Sequence, residues 1–306
     1  MSFRILVTGA SGFIGSALVP ALAAAGHHVR AASRRPVRGG ERIDPVVLPD
    51  FEDDFDWGPL LAGIDIVIHL AAIAHRQGGD AVDYDKVNRG AAVSLAEACL
   101  RHPVRRLIFL SSIGAQTGSA SDRVLTENDE PRPVTGYDQA KLAAETAIRD
   151  SGVPHTILRP VIVYGPNAKA NIAFLLRIAA LPLPLPFGSF RNRRSLLAIG
   201  NLVEAIMLSI DSPSTLNETF VVADPDPVSI AEIFGCLRAA NGDRTRLFSV
   251  PPRLIAGVLS LVGRSALWDR IGRDLVVNPA KLLEAGWKPS ITTREGLRTM
   301  AGKTRV

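Results

Sequence analysis

Cysteine is nearly absent from this chain of 306 residues: Cys99 and Cys236 stand far apart and without partners. That excludes a disulfide framework and suits a reducing compartment, so a cytoplasmic location is expected. No histidine or cysteine cluster has the spacing of metal ligands, and no metal is expected. Long apolar runs are lacking too; the longest, residues 254–262, is too short to cross a bilayer. The opening Met1-Ser2-Phe3-Arg4-Ile5-Leu6-Val7 has no basic region and no cleavage site, and reads as a strand rather than a signal peptide. Aromatic residues make up only 6 %, and no basic stripe interleaves with them, which argues against a nucleic-acid partner. No internal repeat, heptad period or low-complexity tract is present.

What the chain does have is apolar residues, 47 % of the total, enough for a large core and too many for disorder. Its length fits one large domain or two intimately joined ones. Lys and Arg number 35 against 30 Asp and Glu, a formal charge of +5. With nucleic acid set aside, an anionic membrane or an acidic small molecule remains as partner.

Short β-branched runs alternate with Ala- and Leu-rich stretches through the first half. Strands are expected at residues 3–8, 28–32, 45–48, 65–70, 105–112 and 155–159, and helices at 16–25, 87–101 and 137–150. Such alternation requires crossover connections, so the fold class is α/β with a doubly wound, mainly parallel sheet. After Pro160 the pattern breaks. Pro182, Pro184 and Pro186 stop any helix, residues 191–194 form a basic turn, and residues 200–210 and 218–222 return as helix and strand. The rest is helical pieces punctuated by proline. The division expected is residues 1–168 plus 197–223 for the sheet domain, and 169–196 plus 224–306 for a smaller, mainly helical substrate lid.

The first strand runs into Gly9-Ala10-Ser11-Gly12-Phe13-Ile14-Gly15, and a helix follows. Glycines at these spacings permit a tight turn and let the backbone approach a pyrophosphate, which the helix N-terminus then meets with free N–H groups. The context points to a dinucleotide cradle rather than a mere βα turn. The second strand ends in Ser33-Arg34-Arg35, with no carboxylate for a ribose 2′-hydroxyl. Guanidinium groups there suit a 2′-phosphate, so NADP is preferred over NAD. Asp50 and Phe51 are candidates to bracket the adenine.

Of the three tyrosines, Tyr84, Tyr137 and Tyr164, only Tyr137 has a lysine four residues on, Lys141. That spacing puts both on one helix face, where the ammonium would favour phenolate and fit the tyrosine for proton transfer. A strand ending in Ser111-Ser112 precedes the pair.

These features together resemble the extended short-chain dehydrogenase/reductases of the nucleotide-sugar epimerase/dehydratase family. The likeness rests on Gly9 to Gly15, His69-Leu70-Ala71-Ala72, Asn88, Ser111-Ser112, Tyr137 with Lys141, and Arg159-Pro160-Val161-Ile162-Val163-Tyr164-Gly165-Pro166. It continues more loosely through Asn171, Arg194 and Gly286-Trp287-Lys288-Pro289. The resemblance implies a Rossmann-type sheet, Tyr137 as acid/base, and Lys141 on the nicotinamide ribose. Ser112 would be the hydroxyl that hydrogen-bonds the reacting sugar oxygen, with Ser111 the runner-up. Leu70, Ala71 and Ala72 would pass beneath the cofactor, Pro160 and Val163 would flank the nicotinamide, and Asn88 would be structural. His69 is read as a satisfied core histidine.

Arg194 stands where the family grips a substrate pyrophosphate, Asn171 where it contacts substrate, and Arg273 is a weaker pyrophosphate candidate. A UDP-linked sugar and a homodimer built on residues 88–101 and 137–150 are implied. After Ser112 comes Ile113-Gly114-Ala115, without the Asp-Glu pair of the dehydratases. The Ser33-Arg34-Arg35 end of the second strand favours net reduction of a UDP-4-keto-hexose by NADPH. UDP-hexose 4-epimerisation by the same residues is the alternative, and a non-catalytic NADP-binding sensor is a further one. Residues 254–262 and 182–187 are read as lid helix and core, with a bilayer surface as the other use of their apolar side chains.

Overall fold

The computed structural model describes residues 1–48, 55–71, 89–168, 171–240, 242 and 246–302. The first half alternates as expected: β1 (Arg4–Thr8), α1 (Phe13–Ala24), β2 (His28–Ser33), β3 (Ile43–Val47), α2 (Gly58–Leu61), β4 (Ile66–His69), α3 (Ala91–Arg101), β5 (Arg106–Leu110), α4 (Gly136–Ser151) and β6 (His155–Pro160). Then come β7 (Ile162–Tyr164), α5 (Asn171–Ala179), β8 (Leu196–Ala198), α6 (Ile199–Leu208), β9 (Glu218–Val222) and α7 (Ile230–Ala240). The chain continues as α8 (Pro252–Leu261), α9 (Ser265–Ile271), α10 (Ala280–Glu284) and α11 (Thr293–Gly302).

Seven strands form one sheet in the order β3-β2-β1-β4-β5-β6-β9, every neighbour parallel. β4, β5 and β6 are buried at every residue, as central strands covered on both faces are; β4 and β5 are mostly apolar, whereas β6 buries His155, Thr156 and Arg159. Successive residues of β1 feed opposite faces. Ile5 and Val7 join a core with Leu18 and Leu22 of α1 and Leu202 of α6. Leu6 joins a second core with Leu95 of α3 and Ile148 of α4. The strand order reverses between β1 and β4, which opens a crevice at their carboxyl ends.

β7 and β8 pair as a separate parallel ribbon. A third core gathers there, with Ile172 of α5, Ile233 and Phe234 of α7, and Leu297 of α11. Sequence pattern had left α5 and this ribbon unassigned, because three-residue strands carry no readable period. β3 begins earlier than expected and contains Pro45, tolerated because β3 is the sheet edge. α1 begins at Phe13 rather than residue 16, since Gly15 packs into its first turn. Residues 254–262 fall mostly within α8, where no residue is fully buried and Ile255 packs against the third core.

Candidate active site

The glycine turn is built by close approach. Gly9 has φ +73°, and a β-carbon on it would stand 2.9 Å from the amide nitrogen of Ala71, just past β4. A β-carbon on Gly15 would stand 2.5 Å from the Gly9 carbonyl oxygen. Gly12 precedes α1 and supplies no side-chain cap. By contrast Thr135 and Asp138 close a full capping box at α4. No side chain caps the first-turn amides of α1, a setting that suits an anion, and Ser11, Phe13 and Ile14 flank the same turn in sequence. Leu70 and Ala71 are held against its back: Leu70 N donates to Thr8 O at 3.2 Å and Ala71 N to Thr8 Oγ1 at 3.3 Å. Asp50, Phe51, Ala72, Tyr84 and Asn88 lie outside the described residues.

His69 is core, as its setting suggested. Its Nδ1 lies 2.8 Å from Thr8 Oγ1 and its ring stacks on Phe109. Burial, helped by the nearby Lys141 charge, lowers its pKa to about 3, so it stays neutral. Lys141 is buried beside it, its Nζ 4.6 Å over the Phe109 ring and donating to Leu110 O at 2.8 Å. Burial lowers the lysine pKa to about 8, against a raising contribution from Glu145. Tyr137 is half-buried on the second residue of α4.

The two serines after β5 part company. Ser112 is half-buried, and its Oγ accepts the Gly114 amide at 3.0 Å. Ser111 is buried and its hydroxyl donates to Glu145. Glu145 is fully buried and receives Arg159 Nε at 2.9 Å and Nη2 at 2.6 Å, while Arg159 Nη1 donates to Gln116. Ser111 is thereby engaged in the network that ties α4 to β6. Tyr164 is similarly engaged: its hydroxyl donates to Asp224 and to Thr293 O, both at 3.1 Å. Burial first, then Asp224, pushes its pKa far up.

Pro160 ends β6 and is buried, and Val163 lies half-buried in β7. At the end of β2, Arg34 and Arg35 are exposed, while buried Ser33 donates its hydroxyl to Arg35 O at 2.5 Å. Ser33 thus shapes this turn, and the cations belong to the arginines. Asn171 opens α5; its side chain lies outside the described residues. Arg194 is buried and donates to the carbonyls of Asp269, Arg273 and Ser119 at 3.2, 2.9 and 3.1 Å. Burial lowers its pKa to about 10. It also lines an apolar cavity with Ile162, Phe174, Leu196 and Arg270, the last a cation that sequence pattern had not singled out. Arg273 instead pairs with Asp122 at 2.9 Å and Asp269 at 3.7 Å, a surface pair rather than a free pyrophosphate ligand.

The NAD dependent epimerase/dehydratase family matches residues 5–223. A UDP-glucose 4-epimerase of Vibrio cholerae is 34 % identical over 98 % of this chain and 95 % of its own. Among solved structures, the UDP-glucose 4-epimerase of Thermus thermophilus in complex with NAD is 26 % identical, with a TM-score of 0.75 over 99 % of this chain and all of that one. MoeE5, in complex with UDP-glucuronic acid and NAD, is 26 % identical, with a TM-score of 0.78 over 99 % of both chains. No described helix is long and apolar enough to cross a membrane.

Proposed function

The chain belongs to the NAD dependent epimerase/dehydratase family, and from that premise we propose that it interconverts UDP-hexoses epimeric at carbon 4. The observation that carries this reading is Lys141, buried at the end of β5 and four residues from Tyr137, in a chain similar to a 4-epimerase along nearly its whole length. The expectation of net reduction gives way to its alternative here. The relatives reported above are 4-epimerases or were solved with NAD. Nor do they favour the sensor without turnover.

The residues present fit a dinucleotide: the Gly9, Gly12 and Gly15 positions leave no room for side chains, and α1 offers uncapped amides. Bound there, a nicotinamide dinucleotide supplies the acceptor for hydride from carbon 4 and the hydride that returns. Tyr137 takes the proton of the 4-hydroxyl and later gives it back. Ser112 Oγ hydrogen-bonds the same oxygen, and the Lys141 ammonium stabilises negative charge at the phenol and would donate hydrogen bonds to the nicotinamide ribose hydroxyls. Between the two steps the 4-keto sugar turns to present its other face. Arg270, with Arg194 held beside it by three carbonyls, adds positive charge to an otherwise apolar wall and suits the diphosphate of a UDP moiety. Asn171, the first residue of α5, is a further candidate substrate contact. Two copies pair through α3 and α4.

Arg34 and Arg35 support NADP as the dinucleotide. The same observation favours a second reading, reduction of a UDP-4-keto-hexose. One experiment separates the two. Purified protein given UDP-glucose or UDP-galactose without added dinucleotide interconverts them if it is an epimerase. Product formed only from the keto sugar, with stoichiometric loss of NADPH, establishes the reductase instead.

A further inference from the structure

Helix α8 turns its apolar residues outward. Leu254, Val258, Leu261 and Val262 are 61, 60, 89 and 61 % exposed. At spacings of four, seven and eight residues they share one face of the helix. A stripe of this kind ordinarily marks the side packed on a core. Here Ile255, at its edge, meets the third core, and the stripe itself meets none. Phe248, also exposed, belongs to the backbone ladder that precedes the helix, where its N donates to Leu185 O at 3.0 Å. Four exposed apolar side chains grouped on one helix face mark an interaction surface rather than ordinary scatter.

The charge along this stretch is mainly positive: residues 243–270 hold five arginines against Asp243 and Asp269. Residues 244–268 contain Arg244, Arg246, Arg253 and Arg264 and no Asp or Glu. Arg253 lies in the first turn of α8, Arg264 follows its end, and both are exposed. A second copy of this chain placed face to face would bring these cations together. An anionic bilayer complements both features, acyl chains for the leucines and headgroup phosphates for the guanidiniums.

We propose that α8 is an interfacial anchor that docks the protein on anionic lipid bilayers. Leu254, Val258, Leu261 and Val262 enter the boundary between headgroups and acyl chains, and Arg253 and Arg264 pair with lipid phosphates. The helix lies in the plane of the interface and does not span it. None of these residues belongs to the dinucleotide cradle or the Ser112, Tyr137 and Lys141 group, so the anchor is independent of the reaction assigned above.

The test is flotation of the full-length protein with vesicles of phosphatidylcholine alone or mixed with phosphatidylglycerol. Binding to the mixed vesicles is expected to exceed binding to phosphatidylcholine by on the order of tenfold, given two flanking arginines. High salt should release much of it. The double variant Leu254→Asp/Leu261→Asp should stay in the bottom fraction while its helical content by circular dichroism and its turnover on soluble UDP-sugar match the wild type. Arg253→Glu/Arg264→Glu should lose the preference for phosphatidylglycerol. The proposal is overturned if the wild type stays at the bottom with mixed vesicles, or if Leu254→Asp/Leu261→Asp floats as the wild type does. It is also overturned if that variant merely dissociates an oligomer, which would mean that a second copy covers the face.

Discussion

Gly114 lies so close to Asp138 that a β-carbon on it would collide with the carboxylate. The amide of the same glycine donates to Ser112 Oγ at 3.0 Å, and Asp138 closes the capping box with Thr135 that begins α4 around Tyr137. One glycine therefore packs the turn that carries Ser112 against the capping box that starts the helix of Tyr137. Gly114→Ala should lower kcat by roughly 10- to 100-fold, since small displacements of reacting groups have that effect. Dinucleotide content should be unchanged. A kcat close to that of the wild type would contradict this role.

Ser111 and Ser112 should separate cleanly. Ser112→Ala removes a hydrogen bond to the reacting oxygen and should lower kcat by about 10²–10³-fold with little effect on stability. Ser111→Ala removes a partner of buried Glu145 and should cost about 1–3 kcal/mol of stability with a far smaller effect on turnover. Urea unfolding and steady-state rates on both variants decide it; the reverse ranking would return Ser111 to the substrate.

Lys141 supplies a pH dependence. Its pKa, lowered by burial from 10.5 to about 8, leaves it charged at neutral pH and neutral in mild alkali. Turnover should fall as pH rises through about 8. Unfolded, the lysine keeps its proton up to 10.5, so between 8 and 10.5 unfolding takes up a proton and this group's contribution to stability rises with pH. The alkaline loss of rate is then not unfolding, which circular dichroism across the range checks. Lys141→Arg stays charged and should lack that limb whatever its absolute rate.

Much of this site was legible because its parts are local. Tyr137 and Lys141 sit four apart, and the glycine turn directly follows a strand. Glu145 and Gln116 were not legible. They meet Arg159 across chain separations of 14 and 43 residues, and no spacing rule reaches that far. The three carbonyls that hold Arg194 were not legible either, since carbonyl partners leave no mark in side-chain identity. The fold was readable where strands are buried on both faces, as in β4 to β6, and less so at α8, whose apolar pattern does not say which side is covered. The preference for reduction had a narrower cause. Ser33-Arg34-Arg35 speaks first to a phosphate on the dinucleotide, and only through exchangeable NADPH to the fate of the hydride.

That phosphate can be tested directly. Arg34→Ala/Arg35→Ala should weaken NADP binding by roughly 10- to 100-fold, as expected for losing charge-assisted contacts to a phosphate, and leave NAD binding unchanged. Titration of each dinucleotide into protein stripped of its own reads both affinities. Equal effects on the two would place these arginines elsewhere.

The central claim is that hydride leaves carbon 4 and returns to it within one protein-bound cycle. UDP-galactose carrying deuterium at carbon 4, incubated in ordinary water without added dinucleotide, tests this by nuclear magnetic resonance and mass spectrometry. The account predicts UDP-glucose that retains the deuterium at carbon 4. Loss of the label to water, or no interconversion until NADPH is added, would contradict it.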